Sequence, residues 1–170
     1  LFVVVSVAIG FAVGLVLGIL LSRVPKLSNV IIPILSIFQT IPGLVFIGVL
    51  YICWGNTYAT VIVALSVYAM FPVLKNTYTG ILEVEPKYIE AAKGCGMSAM
   101  QSLTQVELPL AMPTIIAGLL QQAGHTVHVG GNIGHPLLAE AGSMSPQDFA
   151  VLELSSFQLM TMDRSPHIAV

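Results

Sequence analysis

Charge is what this 170-residue sequence has least of: Asp, Glu, Lys and Arg together make up 8% of it, against about 25% in an ordinary soluble domain. So few charges cannot cover the surface of a water-soluble protein. None occurs in 1–22 or in 27–74. A basic excess is also missing, since the formal net charge is −2, and this argues against a nucleic-acid partner. There are two cysteines, Cys53 and Cys95, too few for a disulfide framework and without metal-ligand spacing. No methionine and no charged stretch precede Leu1, and the chain stops inside an apolar run, His167-Ile-Ala-Val170. It reads as a fragment at both ends, so the first apolar segment is not expected to be a signal peptide. Histidine is absent from the first 124 residues, and all four (His125, His128, His135, His167) follow. Two regions with different solvents therefore join near Gly118.

What is present before that join is apolar length. Residues 1–22 are uncharged and apolar, about 33 Å as a helix and enough to cross a bilayer core. Gly10, Gly14 and Gly18 recur every fourth residue on one face, which fits close packing against a neighbouring helix. The uncharged run 27–74 is too long for one span and divides at Gly55-Asn56-Thr57, the strong turn signal inside it. Spans are expected at about 30–54 and 58–74, with Tyr51, Trp54 and Tyr58 at the membrane–water interface. Within the second span, Gln39-Thr40-Ile41-Pro42-Gly43 must disturb the helix, because Pro42 removes a donor and clashes with the preceding turn. Gln39 suits an interhelical hydrogen bond better than a substrate contact, although a polar group in lipid is costly enough to leave a pathway role open.

Lys and Arg set the orientation. Arg23 and Lys26 follow the first span, and Lys75, Lys87 and Lys93 follow the third, while the loop between spans two and three has no basic residue. By the positive-inside tendency both basic loops are cytoplasmic. Cys95 then lies in a reducing compartment, far from Cys53 near the outer face, and no disulfide is expected.

The segment Glu85 to Pro109 carries the most information. Glu85-Pro86 opens a short helix, Gly94 and Gly96 end it, and Ser98 to Gln101 fits a capping box that starts a second one. Pro109 is expected to stop that second helix. The result is a compact knob projecting from the membrane. Glu90-Ala91-Ala92, three residues, Gly96, nine residues, then Val106-Glu107-Leu108-Pro109 resembles the EAA loop of ABC importer permeases, with Val106 where isoleucine is commoner. Glu-Ala-Ala alone is ordinary helix composition; the spaced pattern on a cytoplasmic loop is what makes the match specific. The resemblance implies a coupling loop over 83–109 that docks on a cytoplasmic ATP-binding subunit, with Glu90 as polar anchor, Ala91 and Ala92 permitting close contact, Gly96 allowing the turn, and Leu108 and Pro109 closing the motif. Ile37-Phe38-Gln39-Thr40-Ile41-Pro42-Gly43 and Leu74-Lys75-Asn76-Thr77-Tyr78-Thr79-Gly80-Ile81 are similar to permeases for glycine betaine, choline or carnitine. Over 1–118, including the start of a further span at 110–118, the resemblance implies a mainly α, polytopic membrane protein with a MetI-like helical bundle. It implies an ATPase that uses the ATP, a substrate-binding protein outside the membrane and a second permease copy as partners. The permease part is expected to hold no cofactor and to be a multi-pass component of a bacterial-type cell membrane.

From about Leu119 the pattern changes to α/β. Thr126 to Val129 alternates as a strand, Gly130-Gly131-Asn132-Ile133-Gly134 opens a helix through Leu138 to Ala141, Phe149 to Leu154 reads as a buried strand, and His167 starts another. This spacing predicts a parallel sheet with sites at strand ends. Gly130-Gly131-Asn132-Ile133-Gly134-His135-Pro136 and Val151-Leu152-Glu153-Leu154-Ser155-Ser156-Phe157-Gln158-Leu159 resemble the central domain of Mur ligases, in particular the D-glutamate-adding enzyme of peptidoglycan synthesis. That resemblance implies Asn132, Ser155 and Gln158 against a UDP-sugar and Glu153 on Mg²⁺. A strand-terminal carboxylate suits Mg²⁺, but is more often a surface acid. No phosphate-cradling Gly-x-x-x-x-Gly-Lys-Ser/Thr is present, so the ligase-like piece is expected to be inactive, with Mg²⁺ relevant only to a complete domain. Two functional classes follow: a transport subunit, or a membrane-anchored ligase fragment. Because each family is interrupted at Gly118, an artificial join there is expected over a natural fusion.

Overall fold

The computed structural model of the chain describes residues 2–55, 57–131, 136–160, 162–164 and 168. Helix α1 spans Phe2–Arg23, α2 Pro25–Phe38, α3 Gly43–Trp54 and α4 Tyr58–Glu83. Two short helices follow, α5 Pro86–Gly94 and α6 Ala99–Ser102, and a π-helical turn Leu103–Glu107 leads into α7 Leu108–Gln122. Strand β1 (Val127–Gly131), two 3₁₀ turns (Leu137–Ala139 and Ala141–Ser143), β2 (Phe149–Glu153) and α8 (Ser156–Met160) complete the chain. Three of these stretches are long and apolar enough to cross a membrane: Phe2–Arg23, Tyr58–Glu83 and Ala99–Gln122.

The second expected span is not one straight helix. It is a pair, α2 and α3, bent by 93° at the Gln39–Pro42 break. Pro42 sits at the N-cap of α3 with extended ψ of 133°, and a proline drives the residue before it out of the helical region. Pro33, Pro72 and Pro113 lie inside helices that continue through them, so proline alone does not break the chain; at this break the last turn of α2 also tightens, with Thr40 N–H donating to the Ile37 carbonyl and Ile41 N–H to the Phe38 carbonyl. The third span is longer than expected. With no breaker before Glu85-Pro86, α4 continues past Lys75 to Glu83.

Helices α1 and α4 run parallel along a seam of small residues. A Cβ placed on Gly10 would meet the Ser66 carbonyl oxygen at 2.5 Å, one on Gly14 the Met70 carbonyl at 2.7 Å, and one on Gly18 the Leu74 carbonyl at 2.8 Å. Backbones this close exclude any side chain, which is the packing role expected of those glycines. Parallel α1 and α4 also match a topology in which both descend from the outer to the inner face. At the lower end, Ile81 of α4 and Val84 just after it close a small core with Ala111 and Ile115 of α7.

Helix α7 runs four residues beyond Gly118, to Gln122. Gly118 lies in its interior, with the Asn76 side-chain amide of α4 where a Cβ would be. The chain leaves the helix only at Gly124, with φ of +88°. Beyond it β1 and β2 pair in parallel, from Val127 opposite Phe149 to Gly131 opposite Glu153, and both strands pack against α7. The α-helix expected to run through Leu138 to Ala141 is replaced, among the described residues, by the two 3₁₀ turns. The strand expected from His167 falls outside the described residues, Ile168 excepted.

Candidate functional site

The candidate site is the knob between α4 and α7. Pro86 occupies the first turn of α5, where its missing N–H is no loss. The helix ends in a Schellman arrangement: Gly96 N–H donates to the Lys93 carbonyl (2.9 Å) and Met97 N–H to the Ala92 carbonyl (3.1 Å). Gly96 has φ of +76°, the left-handed region that a C′ glycine supplies without a Cβ penalty. Two residues later Ser98 and Gln101 form a reciprocal capping box, with Ser98 N–H donating to Gln101 Oε1 (2.9 Å) and Gln101 N–H to Ser98 Oγ (3.3 Å). Both ends of the turn are therefore fixed by local hydrogen bonds.

Contrary to expectation, Pro109 does not stop the second helix. It falls in the first turn of α7, and the π turn before it shifts the hydrogen-bond register, with Leu108 N–H reaching back to the Leu103 carbonyl. A ladder that gains one residue per turn absorbs the donor proline lacks and keeps the rod continuous. Of the loop residues singled out, Glu90, Ala91, Gly96 and Pro109 are exposed. Ala92 is buried and Leu108 packs against the Ile81–Ile115 core. The pattern is thus divided: Glu90 and Ala91 are available to a partner, while Ala92 and Leu108 hold the knob to its own protein. Nearby, Lys87 pairs with Glu85 at 2.6 Å, and that hydrogen bond holds the ammonium above its ordinary value.

A half-buried ion pair under the knob was not singled out from the sequence. Arg23 Nη2, at the end of α1, donates to Glu107 Oε2 at 2.5 Å, and the Glu107 side chain is only 3% exposed. Ser102 Oγ donates to the second carboxylate oxygen at 3.1 Å. The available signal was a basic residue closing one span and an acidic residue opening another.

The residues that the ligase resemblance implies fall in the C-terminal segment. Ser155 N–H donates to Gln158 Oε1 (2.8 Å) and Gln158 N–H to Ser155 Oγ (3.3 Å), the two bonds of a capping box that opens α8. Asn132 lies outside the described residues. Glu153 ends β2 and lines, with Glu83, Glu85 and Thr114, a cavity of about 210 Å³ beside the knob. Burial pushes its carboxyl above the usual range. Among the described residues no three His, Cys, Asp or Glu converge to hold a metal. Gly131 carries φ of +133°, and the backbone of Glu153 lies where a Cβ would project, so strand geometry accounts for this glycine. His128 lies between two carboxylates, Nδ1 at 3.1 Å from Glu140 and Nε2 at 3.3 Å from Asp148.

The family model described as binding-protein-dependent transport system inner membrane component matches residues 10–129, a stretch that crosses Gly118 and reaches β1. The glycine betaine/carnitine/choline transport system permease protein OpuCD of Bacillus subtilis (strain 168) is 44% identical over 107 residues, 63% of this chain and 47% of its own length. The carnitine transport permease protein OpuCB of Listeria monocytogenes is 36% identical over 122 residues, 72% of this chain and 56% of its own. The glycine betaine/proline betaine transport system permease protein ProW of Escherichia coli (strain K12) is 38% identical over 109 residues, 64% of this chain and 31% of its own. A solved chain of the MetNI methionine ABC transporter in inward-facing conformations superposes with a TM-score of 0.57 at 26% identity, covering 72% of this chain and 65% of that one. The chain spans about half the length of the curated relatives it matches. These relatives are transport subunits and lend no support to the ligase resemblance of 119–170.

Proposed function

Because the chain belongs to the family of binding-protein-dependent transport system inner membrane components, we propose that it serves as the membrane-spanning subunit of an ATP-driven importer for betaine-, choline- or carnitine-type osmoprotectants. The observation that carries this reading is the knob itself. Its central turn is fixed on both sides by the Schellman turn at Gly96 and the capping box at Ser98, it presents Glu90 and Ala91 outward, and it stands at the same end of the bundle as Arg23 and Glu83. A rigid, exposed helix pair continuous with a span is what a soluble motor needs to grip. The motor is a cytoplasmic ATPase that consumes the ATP. A substrate-binding protein delivers solute to the opposite face, and a second permease copy completes the pathway. On this reading the chain itself performs no covalent chemistry.

The test is cross-linking and uptake in one preparation. A Glu90→Cys variant in a Cys95→Ser background, co-expressed with an osmoprotectant-type ABC ATPase and reconstituted in proteoliposomes, is expected to cross-link to the ATPase and to support ATP-dependent uptake of labelled glycine betaine. Absence of the cross-link would remove the knob's assigned role, and a cross-link without uptake of betaine, choline or carnitine would remove the substrate class.

A further inference from the structure

We infer that the Arg23–Glu107 ion pair is a strut that carries movement of the coupling loop into the first span; this rests on the coupling role proposed for the knob. Glu107 occupies the last position of the π turn that joins α6 to α7. Its carboxylate is withdrawn from water and accepts from the Arg23 guanidinium on one oxygen and from the Ser102 hydroxyl on the other. A buried carboxylate that loses its counter-charge is left with an uncompensated desolvation penalty. The end of α1 must therefore follow Glu107 when the loop moves. The other ion pairs among the described residues are local, one within α5 and its cap and two around His128, so this pair is the ionic link between spans.

The surroundings make the link directional. Ser102 belongs to α6, so the carboxylate is held from the loop side as well as from α1. Only Val24 separates Arg23 from Pro25, the first residue of α2, so displacement of Arg23 acts on the bent α2–α3 pair as well as on α1. The π turn supplies the give: a ladder with one extra residue has an alternative α register close by, and such turns occur often at working parts of helices. Arg23 and Glu107 are positioning residues here, acting through the helices they join.

The test uses Arg23→Gln, Glu107→Gln and the double variant, each carrying the Glu90→Cys probe, with the ATPase and binding protein in proteoliposomes. Stimulation of ATP hydrolysis by glycine betaine is expected to fall at least about fivefold in each single variant, the low end of the range for coupling between sites. The double variant is expected to be no worse than the lower single, because the two residues act as one unit. Cross-linking through position 90 is expected to persist in all three. Stimulation within about twofold of the parent in the singles, or losses that multiply in the double variant, would overturn the strut. Loss of the cross-link in the singles would show a merely structural role and overturn it equally. A parent protein that does not cross-link would instead bring down the coupling reading and the strut with it.

Discussion

Gly14 of α1 lies so close to Met70 of α4 that a Cβ on the glycine would stand 2.7 Å from the Met70 carbonyl oxygen and 2.9 Å from the Val73 Cβ. The glycine backbone meets the α4 backbone and the Val73 Cβ, the side-chain atom fixed to it, so neither side can withdraw without moving a helix. Gly14→Val is therefore expected to separate α1 from α4 at a cost of about 1–3 kcal/mol or more, the range for overpacking a filled interior. Gly48, where a Cβ would meet nothing within 4 Å, is the control. Thermal unfolding in detergent should show a lowered midpoint for Gly14→Val and little change for Gly48→Ala.

The two cysteines report the topology without any engineered label site. Both are free and exposed, with Cys53 near the end of α3 and Cys95 in the knob. A membrane-impermeant maleimide is expected to label Cys53 from the outside of sealed vesicles and Cys95 only after inversion, with Cys53→Ser and Cys95→Ser separating the signals. Labelling of Cys95 in right-side-out vesicles would reverse the orientation.

At Gly96 the backbone φ of +76° makes a β-branched replacement strained, by roughly 1–2 kcal/mol for left-handed backbone alone. Gly96→Val is expected to insert normally, because its open surroundings present no clash, yet to weaken the Schellman turn and lose ATPase cross-linking through position 90. Normal cross-linking with normal betaine-stimulated hydrolysis would show that the turn is not needed for coupling.

The His128 cluster gives a pH dependence with a definite sign. The side-chain hydrogen bond to Glu140, then that to Asp148, raises the histidine above its ordinary value of 6.5. Protonated, the ring donates to both carboxylates; neutral, it has one N–H, and the other carboxylate faces a lone pair. A raised folded-state value means that the stabilisation is complete below 6.5 and is lost as pH rises through the folded value. Limited proteolysis within 136–148 should accelerate over that rise, and His128→Asn should remove the dependence. A rate independent of pH in the parent chain would show that the cluster does not hold residues 136–148.

Ser155 and Gln158 are expected to act as a helix cap and not as a nucleotide-sugar site. Ser155→Ala should lower α8 content, at about 1 kcal/mol for a lost cap, and the parent chain should release no phosphate from ATP with Mg²⁺, D-glutamate and the UDP-sugar. Turnover abolished by Glu153→Ala would restore the ligase alternative.

Much of the architecture follows from linear pattern. The absence of charge from 1–22 and 27–74, the four-residue glycine spacing and the spacing from Glu90 to Pro109 each act locally, through hydropathy, backbone freedom or capping, so each is readable from neighbours in the chain. Ser98 with Gln101 shows this well: the two ends of the hydrogen bonds are three residues apart. The remaining features depend on residues brought together from a distance. Arg23 and Glu107 are 84 positions apart, and only the parallel descent of α1 and α4, with α7 returning beside them, makes one the counter-charge of the other. Ala92 turning inward while Ala91 stays exposed, Pro109 continuing a helix through a π turn, and α7 running past Gly118 likewise depend on what packs alongside. Local propensity states which conformations a segment permits, and the burial of charge and backbone against other segments selects among them.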